Sequence, residues 1–214
     1  MKLLKFPTYE DYVKIQTKTN KRKLQFVWVS DKELKAISKY IQTHIPGASF
    51  GICHGVRNGY EVQKLRMLLG CEIIGTEISD TAIRMPYVIQ WDFHEVKDEW
   101  INGVDFIYSN SWDHSYDPDR MLANWMRCVR QNGRSFLEWT AEHTDSKVRG
   151  ADCFGGSLNE IIEWVNKSYK VDAVLKIKER VGGGIRPLNI LRWIVIDKCR
   201  ARDTRVIVVK HKEQ

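Results

Sequence analysis

The residues able to do chemistry in this chain gather where its apolar runs end. Ser49 to Val62 reads Ser-Phe-Gly-Ile-Cys-His-Gly-Val-Arg-Asn-Gly-Tyr-Glu-Val, placing Gly51, Gly55 and Gly59 where a strand passes into a helix. Bare backbone there lets a nucleotide come close, and the helix N-terminus offers it unpaired N–H groups. The dinucleotide fingerprint is absent, because its second and third glycine positions, counted from Gly51, hold Cys53 and Val56. A P-loop is absent too, since no Gly-Lys-Ser/Thr follows. The next apolar run, Glu72-Ile-Ile-Gly-Thr-Glu77, closes on a carboxylate 22 residues after Gly55. An acid about 20 residues past such a turn can accept hydrogen bonds from both ribose hydroxyls. The run after that, Tyr87-Val-Ile-Gln-Trp, ends in Asp92-Phe93, a carboxylate and a ring suited to the amino group and face of adenine. Three such features at three successive strand ends predict an adenosine site.

Groups that could move a proton come later. His114 follows the apolar run Val104–Ser109, and an imidazole titrates near neutrality. His143 lies in the polar stretch Glu138-Trp-Thr-Ala-Glu-His-Thr144. Each is a candidate general base, and each could instead order its loop by hydrogen bonds. Asp113, His114, Asp117 and Asp119 are close enough in sequence to suggest magnesium, but Asp117 is needed as a helix cap, so no metal site is expected. The segment Asp145–Ser157, with Gly150, Gly155 and Gly156, reads as a flap over the site.

The elements that must position these groups alternate. Helices are predicted over 8–19 with Thr8 as cap, and over 31–44 capped by Ser30 with Leu34, Ile37, Ser38 and Ile41 along one face. Pro46-Gly47 ends the second. Strands follow at 48–53, 72–77, 87–91, 104–109 and 134–139, interleaved with helices at 58–69, 118–130 and 157–167. Asp117 caps the 118–130 helix, and Pro118 takes its first position. Such alternation makes a doubly wound, mostly parallel sheet with helices on both faces. Val171–Glu179 and Leu188–Lys198 then read as an antiparallel hairpin around Gly182-Gly183-Gly184, and Arg205–Lys210 as a further strand. Residues 1–45 form a helical extension to a main domain over 46–214.

Composition bounds the rest. At 214 residues, 43% hydrophobic, with eight Trp, eight Tyr and seven Phe, the chain has material for a full core and is not disordered. No apolar run approaches the roughly 20 residues that span a bilayer. Cys53, Cys71, Cys128, Cys153 and Cys199 are scattered, with no Cys-x-x-Cys, which argues against structural zinc and for a reducing, cytoplasmic setting. Residues 1–45 carry a net charge of +6, residues 167–214 carry +8 and the centre carries −7. Basic ends admit nucleic acid or phosphorylated partners, and equally a solvated surface.

With these residues placed, the order of glycine turn, Glu77, Asp92-Phe93, and then Ser109-Asn-Ser-Trp-Asp-His-Ser-Tyr-Asp-Pro118 resembles the class I S-adenosylmethionine-dependent methyltransferases. In that family the fourth strand is often followed by Glu-His and Asp-Pro, where Asp113-His114 and Asp117-Pro118 stand here. A turn like Gln131-Asn132-Gly133 then precedes the fifth strand. The likeness covers about residues 47–140. It implies a Rossmann-like, seven-stranded sheet ordered 3-2-1-4-5-7-6 with strand seven antiparallel. It also implies S-adenosyl-L-methionine as cofactor, held by Gly51, Cys53, Gly55, Glu77, Ile78, Asp92, Phe93, Asn110 and Trp112, with His114 and His143 at the acceptor. Two departures stand out: Ser49 occupies the place of the family's first acid, and Cys53 that of its middle glycine. A small-molecule or sugar-containing acceptor is expected. Nucleic acid is possible but not favoured, because no Asn/Asp-Pro-Pro-Tyr/Phe or Lys-Asp-Lys-Glu arrangement is present. A cofactor binder without catalysis is the non-enzymatic alternative.

Overall fold

In the computed structural model, residues 1–180, 184–189, 192–196 and 201–212 are described. Seven strands share one sheet: β1 (Phe50–His54), β2 (Glu72–Glu77), β3 (Val88–Gln90), β4 (Val104–Ser109), β5 (Val129–Trp139), β6 (Lys170–Arg180) and β7 (Ala201–Lys210). Their spatial order is β3-β2-β1-β4-β5-β7-β6, the expected order of strands 3-2-1-4-5-7-6. β1 to β5 run parallel to one another, and β7 is antiparallel to both β5 and β6. The helices are α1 (Tyr9–Arg22), α2 (Asp31–His44), α3 (Tyr60–Leu69), α4 (Pro118–Cys128) and α5 (Leu158–Ser168). Among the described residues no helix is long and apolar enough to cross a membrane.

Period-two alternation along the strands builds two cores, one on each face of the sheet. Phe106, Tyr108, Phe136, Val206 and Val208 face α2 and α3, joining Leu34, Ile37, Ile41, Val62 and Leu65. The intervening Ile107, Leu137, Ile207 and Val209 face α4 and α5, joining Met121, Trp125, Ile161 and Trp164. Caps fix where the helices start. Thr8 accepts from the Asp11 N–H at 3.1 Å, and Ser30 with Glu33 closes a reciprocal capping box, as Ser157 does with Glu160. Asp117 accepts from the Arg120 N–H at the start of α4, with Pro118 in the first helical position.

Three expectations change. Among the described residues, Val171–Glu179 does not pair with 188–198. β6 pairs with β7, from Ala201 opposite Arg180 to Lys210 opposite Lys170. Gly184–Asn189 and Arg192–Ile196 form a separate two-stranded antiparallel ribbon. Gly182, Gly183 and the end of the expected 188–198 strand lie outside the described residues. The fourth helix stops at Cys128 rather than 130. Val129 already pairs with Val104, and the register then jumps to Phe106 opposite Arg134. The expected Gln131-Asn132-Gly133 turn is the excursion inside that jump.

The flap segment is tied down rather than loose. Phe154–Gly155 pairs with Lys2–Leu3, and Phe154 is buried against Trp112 and Trp164. α1 lies across the carboxyl ends of the strands. Gln16 donates to the Ala151 carbonyl at 2.8 Å, and the Thr81 hydroxyl donates to Asn20 at 2.9 Å.

Candidate active site

The site forms where β1, β2, β3 and β4 end. After β1 the chain turns at Gly55, whose φ of +69° is left-handed, and an added Cβ there would sit 2.8 Å from the Ser111 Cβ. Glycine is required both by the turn and by that close approach. Arg57 follows with a φ of +45°, and its N–H donates to Glu77 Oε2 at 2.9 Å. The other Glu77 oxygen accepts from the Ser79 N–H at 3.0 Å. One carboxylate therefore ties the turn after β1 to the turn after β2. Burial pushes its pKa above the usual carboxylate range, partly offset by the Ser79 and Arg57 N–H donors.

At the end of β3, Asp92 Oδ1 accepts from the N–H and the ring of His94, and Oδ2 accepts from the Tyr9 hydroxyl of α1 at 2.7 Å. Burial would raise the Asp92 pKa, but the His94 and Tyr9 hydrogen bonds outweigh it and hold it low. Phe93 is 8% exposed and lines the same cavity.

Gly55, Glu77, Ile78, Asp92, Phe93 and His114 come together around one cavity, as their positions at strand ends required. Tyr12, Gln16, Thr19 and Asn20 of α1, with Arg57 and Ser111, complete its wall. The free space is about 40 Å³, against the roughly 300 to 1,000 Å³ of small-ligand pockets, so α1 closes the site as it stands.

Gly51 and Cys53 do not reach this cavity. A Cβ on Gly51 would lie 2.2 Å from the Phe106 ring, so that glycine serves close packing inside the sheet. Cys53 is fully buried in the core facing α2 and α3. Ser49 is at the opposite end of β1, where its N–H and hydroxyl donate to Asp105. Its lack of a carboxylate therefore does not touch the cavity. The side chain at the carboxyl end of β1 is His54, bonded to the Thr76 hydroxyl at 2.7 Å and stacked on Trp125.

Asn110, Trp112 and His143 lie beside the cavity rather than in its wall. Asn110 donates to Glu61 at 3.2 Å, and Trp112 stacks on His143 with centroids 5.3 Å apart. His143 Nδ1 accepts the Thr140 N–H at 2.9 Å, which puts the ring proton of the neutral imidazole on Nε2. His114 faces acceptors on both edges, Gln16 Oε1 from Nδ1 at 2.8 Å and Asp152 Oδ1 from Nε2 at 3.1 Å. Burial lowers its pKa, yet the Asp113 charge and the hydrogen bond to Asp152 overcome that and raise it. In this arrangement neither imidazole presents a free lone pair to an acceptor.

Sequence reading missed Arg57, Asp152 and the α1 side chains. Arg57 is partly buried, and desolvation lowers its pKa against the pull of Glu61, Glu77, Asp152 and Asp113. Its place between Gly55 and Gly59 was the available signal. Asp152 and α1 arrive from parts of the chain distant in sequence.

No protein-family model matches the sequence, and no curated protein matches it either. Solved structures do. The 1,6-didemethyltoxoflavin N1-methyltransferase of Burkholderia thailandensis, with 1,6-didemethyltoxoflavin and S-adenosylhomocysteine bound, superposes at a TM-score of 0.65. The identity is 11%, over 99% of this chain and 94% of that one. The chain has the class I methyltransferase fold. A Streptomyces coelicolor geranyl diphosphate C-methyltransferase, in complex with Mg2+, geranyl diphosphate and S-adenosyl-L-homocysteine, matches at 0.58 and 11% identity, covering 80% of this chain and 84% of that one. The mitomycin 7-O-methyltransferase MmcR matches at 0.55 and 13%, covering 94% and 68%. These methyltransferases act at nitrogen, carbon and oxygen by their names, so the class I methyltransferase fold leaves the acceptor atom open.

Proposed function

We propose that the chain is an S-adenosylmethionine-dependent methyltransferase acting on a small-molecule acceptor. The observation that carries this reading is the convergence of Gly55, Glu77, Asp92 and Phe93 on one cavity at the carboxyl ends of β1 to β3. The donor set fits an adenosyl group. Each Glu77 oxygen has one backbone N–H partner and a lone pair left for a ribose hydroxyl. Asp92 and Phe93 supply an acceptor and an apolar ring for adenine, once the Tyr9 hydroxyl leaves Asp92. Arg57, a partly buried cation lining the same cavity, suits the cofactor's carboxylate. Bound there, the cofactor supplies an electrophilic methyl on a sulfonium.

The chain's own contribution is positioning and exclusion of water. Held geometry can supply several kcal/mol of a transfer barrier, and α1 shields the reacting end from solvent. His114 and His143 border the acceptor side, where they orient the acceptor. Calorimetric titration with S-adenosylhomocysteine and with NAD tests the reading. Binding of the sulfur cofactor alone is expected, and tight NAD binding without it overturns the assignment. Screening metabolite pools with methyl-labelled cofactor then identifies the acceptor.

A further inference from the structure

We infer that Asp113, His114 and Asp152 form a site for one divalent transition-metal ion at the edge of the cavity. One ligand atom from each residue falls within 4.8 Å of the other two. His114 Nε2 stands 3.1 Å from Asp152 Oδ1 and 4.0 Å from Asp113 Oδ1. Metal–ligand bonds near ~2.1 Å place neighbouring ligand atoms about 3.0 Å apart and opposed ones about 4.2 Å apart, so the cluster closes on an ion with small side-chain shifts.

Two independent features point into the gap. Asp113 is 6% exposed, and its Oδ1 accepts no hydrogen bond. A buried carboxylate oxygen without a donor is costly, and a cation would satisfy it. The second feature is the orientation of His114. The Gln16 amide nitrogen donates to the Ala151 carbonyl, which turns Oε1 toward His114 Nδ1. Nδ1 then carries a proton, and Nε2 becomes the ligand atom facing both carboxylates, the arrangement in which an outer hydrogen bond aims a metal-binding imidazole. His143, whose Nε2–H donates to the Asn110 carbonyl at 3.4 Å and stands 3.7 Å from Asp113 Oδ1, is not a ligand.

One imidazole among two carboxylates suits Mn2+, Fe2+ or Zn2+ better than Mg2+. Three protein ligands leave open positions, and because His114 lines the cavity, these face the acceptor end. An acceptor oxygen is the ligand they would take, a step that rests on the methyltransferase reading.

Titrating Mn2+ into the full chain, followed by electron paramagnetic resonance, tests the site. One saturable site is expected, with exchangeable water seen in proton relaxation. Asp152→Asn, on the half-exposed side of the cluster, should weaken it at least tenfold, as should Asp113→Asn, with circular dichroism confirming the fold. A folded protein with no saturable site, no exchangeable water on the bound ion, or a site that Asp152→Asn leaves intact overturns the inference. S-adenosylhomocysteine binding, measured separately without metal, keeps the two readings apart. Cofactor binding without a metal site sinks only this inference, and a metal site without cofactor binding sinks only the proposed function.

Discussion

Glu77→Gln separates the roles packed into one carboxylate. Each oxygen of Glu77 holds one backbone N–H, from Arg57 at 2.9 Å and from Ser79 at 3.0 Å. Glutamine keeps the shape but turns one acceptor into an NH2 group. Whichever way the amide lies, a donor then faces a donor, and one of the two turns loses its tie. A hydrogen bond to a charged group contributes about 1.5 to 3 kcal/mol. For a domain of this size, where 1 kcal/mol moves the midpoint by ~2 to 4 °C, melting should fall by about 3 to 12 °C. The ribose would lose one charged acceptor as well, and ~1.4 kcal/mol is already a tenfold weaker Kd. The sequence alone suggests that Gln, keeping one acceptor, is milder than Ala. The structure adds that Gln introduces a repulsion Ala does not, so the two variants should differ less in stability than in cofactor affinity. Scanning calorimetry reads the first effect, and titration with S-adenosylhomocysteine reads the second. A folded Glu77→Gln protein with parental midpoint and parental affinity would refute both assignments.

Two other outcomes follow from burial. Glu61 is pushed up to about 7 by burial, only partly offset by Arg57 and Asn110, so the folded chain keeps a proton that the unfolded chain releases near pH 4.5. Stability should therefore fall as pH rises from about 4.5 through 7, by a limit of about 3 kcal/mol, and Glu61→Gln should flatten that slope in denaturant unfolding; parallel curves for parent and variant between pH 5 and 8 contradict this. Because α1 leaves only about 40 Å³ free, stopped-flow rates of S-adenosylhomocysteine binding should level off at high concentration, set by helix withdrawal. A rate linear to the highest concentration shows that no withdrawal is needed.

The parts of the molecule legible in the sequence were those set by local rules. Thr8, Ser30 and Asp117 mark helix starts because their side chains cap whatever follows them, and each does so. Glu77 and Asp92 stand at the ends of parallel strands, and a parallel sheet carries those ends to one edge. The pairing of β6 misled because Gly182-Gly183-Gly184 offers the shortest return. The contrary signal was present in Val206-Ile207-Val208-Val209, an unbroken apolar run suited to a strand covered on both faces, hence an interior one. Gly51 and Cys53 misled for another reason: spacing along a turn does not say which side of the sheet a side chain takes, and Phe106 decides it. Nothing local in residues 9–22 shows that Tyr12, Gln16 and Asn20 close a cavity made by residues 55–114, because that depends on tertiary docking.

The place of β7 between β5 and β6 has a consequence for the chain during its synthesis. β5 ends at Trp139, yet the partner that covers its outer edge begins at Ala201. At ~5 to 20 residues per second, the ribosome needs roughly 3 to 12 s to supply the intervening stretch. Through that interval Phe136 and Leu137 border an open row of backbone donors and acceptors, and β6 has no sheet neighbour. An uncovered apolar strand edge invites pairing with another chain. The nascent protein thus carries this edge uncovered late in translation, and a holdase that shields it would raise the yield of folded chains.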